Sequence, residues 1–149
     1  MRTTPLLFVL ALAAAPVAAQ EIGLIKVAAG SVHIERAGTK TRAHVGDAVR
    51  TADILHTGAD GSAGVTFTDN SLMSIGPNTV FAVEKYRFDS TTHAGEFDGT
   101  LRQGRLAAVS GKMVKQSPES MKIRTPSSVM GVRGTEFLVQ VDAPVGPAR

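Results

Sequence analysis

The chain has no cysteine and no tryptophan, one tyrosine and six phenylalanines in 149 residues. Without cysteine, neither disulfides nor thiolate metal sites are available, so stability must come from strand pairing and apolar packing. So few aromatics supply poorly the stacking platforms that sugar- and base-binding surfaces use. Long apolar runs are missing beyond the first twenty residues, so no later segment spans a bilayer. Dense Lys/Arg runs are missing too, although sixteen basic residues face thirteen acidic ones. That balance favours solubility and mild attraction to anionic polymers over nucleic-acid binding.

Catalytic and metal-binding patterns are equally scarce. His33, His44, His56 and His93 are isolated, with no carboxylate or second histidine at i+3 or i+4 on a helix. Asp47, Asp53, Asp60 and Asp69 are scattered through turn-like stretches, where capping accounts for them better than a calcium loop does. Ser127-Ser128 has no nucleophile-elbow context, and no Gly-rich phosphate loop occurs. The chain is therefore read as a non-enzyme without cofactor or metal.

What is present begins with a leader. Arg2, the apolar run Leu6 to Ala15, and the small residues before Gln20 form a secretory signal peptide, residues 1–19, with cleavage expected after Ala19. Loss of Arg2 leaves fifteen basic residues against thirteen acidic ones, a mature charge of about +2. The expected location is the periplasm or the exterior. Residues 20–142 suit one domain, and the Pro- and Gly-rich 143–149 read as a disordered tail.

Within the domain, Val, Ile, Thr and Phe alternate with polar residues between Gly- and Pro-rich turns, the profile of short strands. Ile22–Val27, Val32–Ile34, Ala63–Phe67 and Thr79–Val83 alternate most clearly. Asp69-Asn70 reads as a tight hairpin turn, with asparagine accepting positive φ. The polar stretch from Phe88 to Gly99 reads as a mobile loop. The expectation is all-β, about ten short strands in a rolled or solenoid-like stack of hairpins, with a β-sandwich as the alternative.

The stretch Thr125 to Phe137 is the most distinctive. Pro126 fits an edge or a turn, and Gly131 and Gly134 bracket Val132-Arg133 with bends or bare backbone. Phe137, Val139 and Val141 then alternate as a half-buried strand. Arg133, set among apolar neighbours, has two readings. It is either solvated on a bulged hairpin, or buried against a carboxylate, with Asp47 or Asp53 first and Asp69 next.

Thr125, Pro126, Val132, Arg133, Gly134, Thr135 and Phe137 match in place the closing signature of the FecR-domain family, periplasmic domains first known from a ferric-citrate regulator. Gly30 to Gly38 is similar to that family's opening motif. Gly46-Asp47, Thr57-Gly58 and the Asp69 hairpin resemble its middle segments. The resemblance covers about Gly30 to Val141 and tilts the fold towards the roll. It implies a binding or signalling module of the cell envelope that meets another envelope protein. Family members are often inner-membrane sensors coupled to a sigma factor. With its leader cleaved, this chain is expected to be the periplasmic part alone, with no membrane span in the mature chain. The alternatives are a structural or assembly part whose strand edges pair with a partner, and a glycan binder.

Overall fold

Alternation along the chain resolves into twelve strands and one short helix in a computed structural model describing residues 19–143. Residues 1–18 of the expected leader and 144–149 of the expected tail lie outside the described residues. The strands are β1 (Glu21–Ala29), β2 (Val32–Arg36), β3 (Thr39–Arg42), β4 (Ala48–Arg50), β5 (Ile54–Thr57), β6 (Ser62–Phe67), β7 (Leu72–Ile75) and β8 (Val80–Phe88). Next come β9 (Gly95–Val109), the helix α1 (Lys112–Gln116), β10 (Met121–Arg124), β11 (Val129–Gly131) and β12 (Glu136–Val141). The fold is all-β and rolled, the first of the two arrangements expected from the sequence.

Strand β9 organises the roll. At fifteen residues it is roughly 50 Å long, long enough to serve two sheets. Its first half lies between β8 and β10, and its second half between β7 and β12. One sheet therefore runs β3-β2-β5-β8-β9-β10-β11 and the other β12-β9-β7-β6-β1-β4. Most pairings are antiparallel; β9 with β10 is parallel.

The turn of β9 from one sheet to the other occurs at Gly104, whose φ of +94° is open to glycine alone at little cost. A Cβ there would also run into the backbone and side chain of Thr79. Thr79 Oγ1 accepts the Arg105 amide at 3.0 Å, which satisfies the donor that the bend frees.

Between the sheets lies a core built from the inward residues of every long strand. Phe67, Tyr86, Phe97 and Phe81 form its centre, with Phe97 edge-on to Phe67 at 5.2 Å and to Tyr86 at 5.8 Å. Four of the chain's seven Phe and Tyr side chains are thus consumed by packing. Gly99 gives the Phe81 ring its room, since a Cβ there would overlap it.

One expectation is corrected here. Phe88–Gly99 is not a loop: β8 and β9 zip together across Phe88↔Gly95, leaving only a tight Asp89–Ala94 turn. Asp89 closes that turn by accepting the amides of Thr91 and Thr92 at 2.8 and 3.0 Å. Its polar residues simply face outward, as Glu96 with Lys85 at 2.9 Å does. The basic stretch after Gly111 forms α1, with Met113 and Val114 buried beneath it. Among the described residues no helix is long and apolar enough to cross a membrane.

Candidate functional site

The signature stretch divides into a hairpin tip, an edge strand, a bend and the start of β12. Thr125 and Ser128 close the tip: the Thr125 amide donates to the Ser128 carbonyl at 2.8 Å, and Thr125 Oγ1 accepts the Ser128 amide at 3.0 Å. Pro126 and Ser127 occupy the exposed corner, a position that needs no ladder donor. Strand β11 then pairs with β10, in register Lys122↔Gly131 to Arg124↔Val129.

The far edge of β11 is free of strand partners among the described residues. The Val132 amide donates to Met121 O at 2.9 Å, and the Thr125–Ser128 bond closes the other end of the ladder. Residues 128, 130 and 132 therefore turn their backbone groups towards β10, and Val129 and Gly131 turn theirs outward. Gly131 lies outside the positive-φ region, and nothing stands within 4 Å of where its Cβ would be. No contact inside the fold requires glycine there.

The bend after β11 is pinned through its backbone. Ser110 Oγ donates to the Gly134 carbonyl at 2.6 Å, and the Ser110 amide donates to the Thr135 carbonyl at 2.8 Å. Gly134, at φ +127°, supplies the conformation. The Thr135 side chain is left exposed, and Phe137 lies half-buried against the core. Across the whole signature, Val132 alone is buried.

Arg133 is not the buried cation that one sequence reading proposed. Its side chain is 74 % exposed and pairs with Glu119, itself 73 % exposed. The physical reason is the direction of the chain. Val132 takes the inward position, so its neighbour points to water. Such a surface pair contributes little to stability.

The buried carboxylate does exist, with a different partner. Asp53 is fully buried and takes Arg36 Nε at 2.8 Å on one oxygen and Arg36 Nη2 at 2.7 Å on the other. The second oxygen also accepts the Arg50 amide at 2.8 Å, and Arg36 Nη2 reaches the Ala48 carbonyl at 3.0 Å. This fork ties β2 to the β4–β5 turn, where Ala52 is held at φ 71°. The Asp53 hydrogen bonds, outweighing burial, hold the Arg36 guanidinium above its ordinary pKa. In the sequence Arg36 stands out only as part of the Gly30–Gly38 opening motif. Its place just before the Ala37-Gly38 turn was the one available clue.

The other expected carboxylates are local. Asp47 is half-buried and caps its own turn, with Oδ2 accepting the His44 amide at 2.7 Å. Gly46, beside it, donates its amide to Ile25 O at 2.8 Å and so anchors the turn on β1. Asp69, fully buried, accepts the Ser71 amide at 3.0 Å and the Ser71 hydroxyl at 2.7 Å. Tyr86 Oη donates to Asp69 Oδ1 at 3.3 Å and accepts the Asp69 amide at 3.1 Å. Burial foremost pushes the Tyr86 phenol up to about 12. The network continues through Ser71 Oγ, which accepts the Gly111 amide at 3.0 Å, and through Asp69 O, which accepts the Lys112 amide at 2.8 Å. Asp69 thus joins the β6–β7 hairpin to the start of α1. Asn70 takes the predicted positive φ, 67°.

Among the histidines, His56 Nε2 meets Glu35 at 2.8 Å across β2 and β5. Among the described residues no three His, Cys, Asp or Glu side chains are grouped as a metal site. Two kinds of residue therefore emerge: Gly46, Asp47, Asp53 and Asp69 hold turns and corners together, and 125–137 lies open on the surface.

Comparison with curated proteins and with solved structures finds no match. A family model described as FecR protein matches residues 53–147, well over half of the chain. The match includes Asp69 and the whole of Thr125–Phe137, and it begins after Gly46 and Asp47. The chain belongs to the FecR protein family.

Proposed function

We propose that this chain is an exported, non-catalytic interaction module of the cell envelope that binds a partner protein, in the service of signalling, through its Thr125–Phe137 segment. One observation carries the reading: in a stretch of such specific sequence, only Val132 is buried. Met130 and Phe137 pack partly against the core and Gly134 serves the bend, and the other identities are not demanded by the core. Gly131 is the clearest case, with open space around it and backbone groups facing outward. A bare, unpaired edge of this kind accepts an extended segment from another chain as an added strand. Exposed Val129 and half-buried Met130 offer apolar contact beside it, and Arg133 with Glu119 offers charge. Family membership supports an envelope role, and the Arg2–Ala19 leader supports export.

The test is affinity capture from the native host's envelope with the wild-type chain, Gly131→Arg and Arg133→Ala, followed by reconstitution with the purified partner. Both variants are expected to keep the wild-type unfolding midpoint. Gly131→Arg should lose the partner and Arg133→Ala should weaken it. Undiminished capture by Gly131→Arg refutes the site. Retention on purified envelope polysaccharide instead of protein would favour the glycan reading.

A further inference from the structure

The outward face of the second sheet carries a different feature. Five of the seven most exposed large apolar side chains among the described residues lie on it: Leu24, Val27, Leu72, Val109 and Leu138, from 38 to 64 % exposed. The strand registers place them in two rows. One row reads Ala48, Leu24, Thr66, Leu72, Val109 and Glu136 across β4, β1, β6, β7, β9 and β12. The next reads Val27, Gly64, Ser74, Ala107 and Leu138. The second row is low in its middle, because glycine, serine and alanine stand there. Contiguous exposed apolar surface on this scale marks an interaction site more often than chance.

We propose that this face is covered by a second copy of the chain, packed sheet to sheet about a two-fold axis running along the strands between β6 and β7. Such an axis exchanges the left and right halves of each row. Val27 of one copy then stands over Ala107 of the other, Leu72 over Thr66, Leu24 over Val109, and Ser74 over Gly64. Val27 meets the small Ala107 and Leu72 the smaller Thr66, Leu24 meets Val109 apolar to apolar, and the small pair Ser74 and Gly64 lets the two sheets approach closely near the axis.

Charge follows the same symmetry. Glu136 sits at the β12 side of the face; Lys26, Arg50 and Glu21 sit at the β1–β4 side, Arg50 and Glu21 paired with each other at 3.6 Å. The axis carries each copy's Glu136 across to the side of the other that holds Lys26, which makes no ion pair among the described residues. Arg105, which bonds Gln140 at 3.2 Å, falls over Ala29. An anionic membrane would call for one sign of charge around the rim and for aromatic anchors, and this face has neither.

Sedimentation velocity of the mature chain over a range of concentrations tests the proposal, with Leu72→Asp beside it. The expected result is a concentration-dependent wild-type dimer and a monomeric Leu72→Asp. The dissociation constant should rise by on the order of a hundredfold, since symmetry counts each substitution twice. Leu72 is 49 % exposed, so the variant should fold, and circular dichroism verifies that. Because the chain has no cysteine, Ser74→Cys gives a single thiol near the axis. A short bismaleimide should link it to its twin, and Thr39→Cys on β3 should not link. A wild-type chain that stays monomeric, a dimer that survives Leu72→Asp, or association of the monomer with anionic vesicles through this face would each overturn it. Leu72→Asp should capture the envelope partner normally, which separates this result from the fate of the β11 edge.

Discussion

Replacing Arg36 by alanine removes both arms of the fork on Asp53 and leaves that carboxylate, fully buried, with the Arg50 amide as its remaining donor. Two charge-assisted hydrogen bonds are lost, and breaking a buried pair from one side costs about 3–5 kcal/mol. The Arg36 side chain is 41 % exposed, so part of its charge is already hydrated and the lower end applies. We expect a loss of about 3 kcal/mol from a domain whose total stability is about 5–15 kcal/mol. That corresponds to a fall in melting temperature of roughly 10 °C for a domain of this size. Arg36→Lys should recover only part, because an ammonium cannot reproduce the two-pronged geometry. Adding Asp53→Asn to Arg36→Ala should restore stability relative to Arg36→Ala alone, since the orphaned charge is gone. Urea titration followed by circular dichroism reads all of this as a change in midpoint at constant slope. A loss below about 1 kcal/mol for Arg36→Ala would refute the assignment of Arg36 as the structural cation.

Three further outcomes follow from the geometry. Gly104→Ala forces a side chain into a φ of +94° and against Thr79, and should destabilise by about 1–3 kcal/mol or more, measured in the same titration. Tyr86 is held above its ordinary value, at about 12, so the fold's advantage is complete below pH 10 and is lost as pH rises towards the folded value. Tyr86→Phe should therefore flatten the alkaline limb of the stability profile while lowering stability at neutral pH. Hydrogen bonds from Arg124 hold Asp98 below its ordinary value, so its contribution is present above about pH 4 and is lost as pH falls through the lower, folded value. Asp98→Asn should make the acid limb shallower.

Much of the roll could be read from local pattern. Ala63, Val65 and Phe67 alternate because one face of β6 is core, and Asn70 announces its hairpin because few other residues accept that φ. Where pattern failed, the deciding contact was distant. Phe88–Gly99 reads as loop because Asp89 to His93 is polar and turn-rich, yet only that part turns, and Glu96 and Asp98 beyond it lie on an outward strand face and pair with Lys85 and Arg124. Arg36 and Asp53 are seventeen residues apart, and nothing local distinguishes that arginine from Arg133. The signature was legible as sequence, but its exposure was not, because alternation alone does not say which of Val132 and Arg133 faces the core.

The bare β11 edge is proposed to contact a partner. Photo-crosslinking in the native host, from a photoreactive residue at position 131, tests it most directly, with a second at Glu84 on the outward side of β8 as control. A discrete protein adduct is expected from position 131 and none from position 84. No adduct from 131, or the same adduct from both positions, would contradict it.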